Sequence, residues 1–571
     1  MTKPALLIVG LDGATWDVMQ PLAAAGKLPN IARLMANGAW GPLESTIPPL
    51  TPSGWTSFMT GANPGKHGLY DFIECEPDGY GMHYTNAGTR RVESLWRILN
   101  RHALSAGVIN VPWTYPPEPI DGYMISGLDT PDAASAFVHP PELKQDIAAL
   151  EGGWPMDPRH LGYMHTDERR QEVLDQIIEN EARRTRIAKR LMRERPTDVV
   201  AIVFTATDTV QHYFWHYADR SHHLHDPAGA ARFGAAIERV YCEMDRNIGE
   251  LLAAVSADTR VVLASDHGAG KSPEYSICLN QFLAQIGVLR FKSSPGDAGR
   301  RLAPLVRKAD AWLRGRLTPR QKALLAKYLP RLRERWEAQY SSYAQIDFAA
   351  SKAFCNEVLS FPPPIWINVK GQRPSGIVEP GREYEELVGY IVSRLAELRH
   401  PQTGQRLIKR AYRKSEIYAG PLLASAPDIT LSWWEEDAFL SRPTSAERLD
   451  GPLVTRAETA AEKKSVWTGT HRLQGIFLLS APGKVRRLTR AQPARIVDLA
   501  PTMLHLLGLP VPQALDGRVL LETLEEQYLS QHPAALENAD ASPAAASAAH
   551  EYTDEEAAKI TKKLKELGYI E

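Results

Sequence analysis

Five short runs of apolar and β-branched residues, none alternating with polar ones, constrain this chain more than any other feature. They cover residues 6–9, 107–111, 199–204, 260–264 and 476–479, and each stops abruptly in polar residues. A strand with one wet face alternates, so a run that does not alternate needs cover on both faces, as in a parallel sheet. Between the runs lie segments of helical period. The clearest places Ile237, Val240, Met244, Ile248, Leu251 and Val255 at three- and four-residue steps, one apolar stripe of a long helix. Strands and helices in alternation predict an α/β fold, a doubly wound, mostly parallel sheet.

The pattern breaks between residues 271 and 465. That stretch holds a basic helical region, residues 300–335, with twelve Lys and Arg against Asp310 and Glu334. It also holds a strand signal at residues 365–369 and a helix signal at 384–398. We read it as a cap inserted into the main sheet, with residues 1–270 and 466–530 forming the two parts of the core. A charge run of this kind is more often a solvated face than a docking surface for anions or membranes. Trp433 and Trp434 lie in the same stretch and read as core fillers more readily than as stacking partners for a base. Residues 531–552, rich in Ala, Ser and Pro, read as a linker. Residues 553–571 then read as a helix, opened by the capping box Thr553–Glu556, striped by Ala557, Ile560, Leu564 and Leu567, and stopped at Gly568. Such a helix is expected to dock on its own body or on a partner.

The 571 residues suit one large domain with an insertion, or two to three domains. With 44% hydrophobic and 23% charged residues, collagen-like, disulfide-scaffold and wholly disordered classes are excluded. A net charge of −1 gives no reason to expect a nucleic-acid polymer as partner. Cys75, Cys242, Cys278 and Cys355 form no CxxC pair, which fits a reducing compartment. The apolar run at residues 5–9 is too short for a signal-peptide core or a membrane span. The expected location is the cytoplasm, with no transmembrane segment.

Chemistry-bearing residues gather at the ends of the runs. Asp12 ends the first, Asp208 follows the run at 199–204 with His212 four residues on, Asp266 and His267 end the run at 260–264, and His471 precedes the last. In open α/β sheets the functional crevice lies at the carboxyl ends of the strands. Each Asp alone could be a helix cap. Three Asp and three His together supply ligands for two divalent ions, with Zn²⁺ favoured by imidazole and Mn²⁺ where oxygen dominates. Thr51 followed by Pro52 reads as an N-cap with Pro at the first helical position, which would aim a helix N-terminus at whatever Thr51 touches.

Residues 51–61, TPSGWTSFMTG, and 63–68, NPGKHG, together with Asp12, Asp208, Asp266 and His471, resemble the alkaline phosphatase superfamily. The likeness is to its type I phosphodiesterase/nucleotide pyrophosphatase branch, and within it to a group of cytoplasmic phosphohydrolases or phosphomutases. The segments 108–117, 367–371 and 469–472 carry that closer likeness. The resemblance implies one metal held by Asp208, His212 and His471 and a second held by Asp12, Asp266 and His267. Thr51 then bridges the two as nucleophile and ligand.

Two departures matter. Nucleotide pyrophosphatases place an Asn a few residues past the loop His, whereas residues 69–72 here are LYDF. Lys66, Asn110 and Arg472 are the substitute candidates for contacting phosphoryl oxygens. The Cys-x-Pro-x-Arg context of sulfatases is also missing at Thr51. The expected function is metal-dependent hydrolysis of a small phosphate diester, nucleotide-like among the options, through a threonyl-phosphate. The alternatives are a phosphomonoesterase or phosphomutase of the same superfamily, and a non-catalytic scaffold on this fold.

Overall fold

The computed structural model describes residues 4–76, 79–157, 161, 164, 166–292, 343–357, 361–436, 438–444, 451–456, 467–488, 491–538, 550–567 and 569. The basic region at 300–335, residues 539–549 of the expected linker and Gly568 lie outside the described residues.

A nine-stranded sheet forms the centre. Its strands are β1 (Leu6–Leu11), β2 (Ala39–Glu44), β3 (Ala106–Val111), β4 (Gly122–Ser126), β5 (Val138–His139), β6 (Val199–Phe204), β7 (Arg260–Ala264), β8 (Gln474–Ser480) and β9 (Ala494–Arg495). Across the sheet they run β9-β2-β8-β7-β1-β6-β3-β4-β5. β1 pairs parallel with both β6 and β7, and β3 parallel with β6 and β4. Only β8 and the edge strand β5 run against the rest. Every residue of β1, β3 and β6 is buried, as unalternating runs require. The helix Ala236–Ala253 buries the stripe Ile237, Val240, Met244, Ile248 and Leu251 in the core it shares with this sheet.

Between β7 and β8 the chain leaves the sheet. There it builds a four-stranded antiparallel sheet from Ala353–Cys355, Ile365–Ile367, Ala411–Arg413 and Ile429–Leu431. The helix Arg382–Ala396 buries Leu387, Val388, Ile391 and Leu395 in the separate core of this unit. The strand and helix expected at 365–369 and 384–398 thus appear within two residues of their sequence signals, the usual uncertainty of element ends.

Three helices matter for the site: α1 (Thr51–Thr60), α2 (Ala206–Ala218) and, far along the chain, α3 (Asp554–Glu566). At α3 the expected capping box forms. The Thr553 hydroxyl accepts from the Glu556 N–H, and the Glu556 carboxylate accepts from the Thr553 N–H. The helix buries Ile560 and Leu564, and Lys563 donates to the Leu128 carbonyl at 2.7 Å. Among the described residues, no helix is long and apolar enough to cross a membrane.

Candidate metal centre

Parallel strands β1, β6 and β7 end on the same edge of the sheet, so the residues that follow them meet. Asp12 follows β1, Asp266 and His267 follow β7, and Asp208 and His212 stand one turn apart on α2, just past β6. His471 arrives from outside the sheet. It sits on a short strand, Gly469–Arg472, paired antiparallel with Gly268–Lys271, which places it opposite Ala269. Glycine permits two close approaches here. Gly13 turns the chain after Asp12 at φ 64°, where a Cβ would meet Asp208 Oδ1 at 2.8 Å. A Cβ on Gly54 of α1 would meet the Asp266 Cβ at 3.0 Å.

Two trios result, Asp208–His212–His471 and Asp12–Asp266–His267, each with ligand atoms within 4.8 Å of one another, and all six residues are buried. In the first, His212 Nε2 lies 3.1 Å and His471 Nε2 3.7 Å from Asp208 Oδ1. In the second, His267 Nε2 lies 3.6 Å from Asp12 Oδ1 and 3.4 Å from Asp266 Oδ2. The His267 and His471 rings stack at 3.6 Å and join the trios.

The outer atoms of these side chains are all engaged by the protein. The Nδ1 atoms of His212, His267 and His471 sit 2.9, 2.9 and 2.8 Å from the carbonyls of Gly469, Gly268 and Pro49. A carbonyl only accepts, so each Nδ1 carries a proton and each ring turns its Nε2 inward. The carboxylates follow the same rule. Asp12 Oδ2 accepts from Trp55 Nε1 at 3.0 Å, Asp266 Oδ1 from the Gly13 N–H at 3.2 Å, and Asp208 Oδ2 from the Tyr569 hydroxyl at 3.0 Å.

Two of the inner carboxylate oxygens have no such partner. Asp12 Oδ1 and Asp266 Oδ2 are buried without a hydrogen bond. His212 Nε2 and His471 Nε2 face each other at 3.2 Å. Buried acceptors crowded together without donors are costly. The electrostatics agree: burial, then the Asp266 and Asp208 carboxylates, hold the Asp12 carboxyl well above the usual range. Burial pushes Asp266 up to about 6 against the pull of His267. Burial also raises Asp208, but the His212, His471 and His267 rings outweigh it and hold that carboxyl low. A donor set of three carboxylate oxygens and three imidazole nitrogens aimed inward fits divalent cations.

Thr51 stands beside this set, its Oγ1 3.4 Å from His267 Nε2. It is not the N-cap expected from the sequence. Leu50, extended at φ −117° and ψ 141°, occupies the cap, and Thr51 and Pro52 are the first two helical residues. From the first turn of α1 the Thr51 hydroxyl meets the centre at His267.

The three residues named for phosphoryl contacts point their donors elsewhere. Lys66 pairs with Asp516 at 2.5 Å and donates to the Ala514 carbonyl. Asn110 donates to the Val203 carbonyl, and Arg472 to the carbonyls of His471 and Lys271. Tyr569, by contrast, is not foreseeable from the sequence. Its neighbour in the chain, the α3 stripe, is legible, but nothing local says that a tyrosine beyond it reaches Asp208, 361 residues away. Trp433 is buried and stacks on Phe361 at 5.1 Å, which suits a packing role.

Comparisons with known proteins bear on the whole assembly. No curated protein matches the chain. Among solved structures, phosphonoacetate hydrolase from Sinorhizobium meliloti 1021 is similar in two complexes. With phosphonoformate it shows 15% identity and with phosphonoacetate 16%, each covering 87% of this chain and 94% of that one at a TM-score of 0.49. The sequence profile described as type I phosphodiesterase / nucleotide pyrophosphatase matches residues 6–432, a span that holds Thr51 and five of the six ligand-type residues. The chain therefore belongs to the type I phosphodiesterase/nucleotide pyrophosphatase family of phosphoric ester hydrolases.

Proposed function

We propose that the protein is a two-metal phosphodiesterase of nucleotide pyrophosphatase type that works through a threonyl-phosphate. Asp208, His212 and His471 hold one ion and Asp12, Asp266 and His267 the other, with Zn²⁺ the preferred metal. The observation that carries the reading is the position of Thr51, its hydroxyl 3.4 Å from His267, beside two trios of inward-facing acceptors. Bound ions supply Lewis acidity there, lowering the proton affinity of the Thr51 hydroxyl and neutralising phosphoryl oxygens.

The chain's own residues do the rest. Thr51 Oγ1 attacks phosphorus in line and gives its proton to solvent, while the bond from phosphorus to the alcohol oxygen breaks on the opposite side and that oxygen takes a proton from solvent. A threonyl-phosphate remains. Water then attacks phosphorus, releases the Thr51 oxygen and restores the hydroxyl. Two inversions give net retention at phosphorus. The N-terminus of α1 turns its positive end toward the charge that develops there. Lys66, Asn110 and Arg472 remain the proposed sources of phosphoryl-oxygen contacts, each requiring a change of partner on binding. The substrate is a small phosphate ester, and the site of action is the cytoplasm.

The test is hydrolysis of an aryl phosphate diester and the matching monoester by metal-analysed protein, wild type beside Thr51→Ala. Diester preference, two metals per chain, and a loss of about 10³-fold or more in Thr51→Ala with metal content intact are expected. Monoester preference would move the reading to a phosphatase or mutase. Full activity in Thr51→Ala would end the covalent mechanism.

A further inference from the structure

Each of the six ligand side chains is oriented by one outer partner, and five of those partners are built into the frame of the site. Trp55 and Gly13 hold two carboxylates, and the carbonyls of Pro49, Gly268 and Gly469 hold the three imidazoles. The sixth partner is Tyr569, which comes from beyond α3. Its hydroxyl donates to Asp208 Oδ2 at 3.0 Å, leaving Oδ1 facing His212 and His471.

The tyrosine is held as firmly as the frame residues. It is buried, with ring centroids 4.5 Å from Phe72 and 5.0 Å from Trp467. Its N–H donates to the Leu564 carbonyl at 2.9 Å. The Leu567 carbonyl accepts from Tyr213 at 2.7 Å and from Trp467 Nε1 at 3.3 Å. Trp467 in turn stacks on His212 at 3.8 Å. The segment after α3 thus bears on two ligands of the same trio, Asp208 through a hydrogen bond and His212 through the indole.

From this geometry we infer that Tyr569 is a positioning residue for the Asp208–His212–His471 metal site. By occupying Oδ2 it fixes Asp208 as a one-oxygen ligand and stands to that carboxylate as Trp55 stands to Asp12. The inference rests on the two-metal reading above. Outer partners of this kind set the orientation and basicity of a ligand, and losing one weakens metal binding about 10- to 100-fold. A tyrosine that merely filled space would be replaceable by phenylalanine without touching the metal.

The test is a Zn²⁺ competition titration against a chromophoric chelator, comparing full-length wild type with Tyr569→Phe, alongside thermal melts of the metal-free proteins. One of two bound equivalents is expected to weaken about 10- to 100-fold in Tyr569→Phe, the other to stay within about twofold, and the metal-free melting temperature to be nearly unchanged. Adding Asp266→Asn to both proteins isolates the trio, and the same loss is expected in that background. Both affinities unchanged from wild type in Tyr569→Phe would overturn the positioning role. Equal weakening of both, together with a lower metal-free melting temperature, would overturn it in favour of packing. The wild-type titration judges the two-metal reading by itself: failure to take up two equivalents removes that reading, whereas two equivalents unaffected by Tyr569→Phe remove only the inference.

Discussion

Two buried polar clusters lie near the carboxyl ends of the strands, and they neutralise their carboxylates in different ways. Around Arg184, on the helix Asp167–Glu194, the guanidinium donates to Glu181 and Thr205 at 3.0 Å, to Asp157 at 2.8 Å and to the Pro155 carbonyl at 3.0 Å. Glu181 also accepts from the backbone N–H groups of Thr205 and Ala206, at 2.8 and 3.0 Å. Lys563 lies 3.9 Å from Asp157. Two carboxylates there face two cationic side chains. In the metal centre, Asp12, Asp208 and Asp266 have imidazoles as their only ion-pair partners among the described residues, and two carboxylate oxygens have no hydrogen bond. The first cluster balances its carboxylates with cations of the chain itself, although the Arg184 Nε has no hydrogen bond, while the second needs positive charge from outside it.

The largest effect that can break this contrast is expected at Arg184. Arg184→Met strands Glu181 and Asp157 in the interior, and urea denaturation should show a loss of about 3–5 kcal/mol. A loss near zero would mean that the cluster does not depend on its guanidinium. Metal has the next effect. Zn²⁺ at about 100 times its dissociation constant should stabilise the wild type by about 2.7 kcal/mol per site, read as a raised melting temperature. Asp266→Asn should lose one site's share, and a wild type that melts identically with and without Zn²⁺ would show that the centre does not call for a cation.

The smallest effect concerns a third way of neutralising a buried carboxyl, with a proton. The Asp71 carboxyl accepts from the Phe72 N–H at 2.6 Å, but burial outweighs that bond and pushes the group up to about 7. The folded protein therefore keeps a proton there that the unfolded chain releases near pH 4. Stability falls as pH rises from about 4 through 7 and levels off above that. Between pH 6.5 and 8.5 this group alone should cost the metal-free wild type on the order of 1 kcal/mol. Thermal melts of Asp71→Asn should show a correspondingly flatter pH dependence, and an unchanged slope would place the titration elsewhere.

The sheet was legible because β1, β3, β6, β7 and β8 carry their burial in unbroken apolar runs. A parallel arrangement then brings Asp12, Asp208 and Asp266 to one edge without further information. His212, His267 and His471 were picked out by their places at the run ends, and the family likeness added the grouping into trios, which no spacing rule supplies. Thr51 illustrates a limit of one residue: a Thr-Pro pair at a helix start fits the cap or the first turn equally well, and only the extended backbone of Leu50 separates them. The Arg184 cluster was not legible at all, since a charged residue on an amphipathic helix usually faces water. Tyr569 was missed for the same reason that makes it informative, because its partner is distant in sequence and the contact depends on where α3 packs.

The scatter of the ligands along the chain has a consequence for how the protein comes apart. His212 and His471 are separated by 259 residues, and Gly13 and Asp266, joined by a hydrogen bond, by 253. An ion held at either trio ties such distant segments together as a reversible cross-link spanning a very long loop. The strand ends cannot separate until coordination is broken, so ion release is placed on the unfolding path of the loaded protein. Its lifetime would then be governed by a rate of dissociation as much as by an equilibrium.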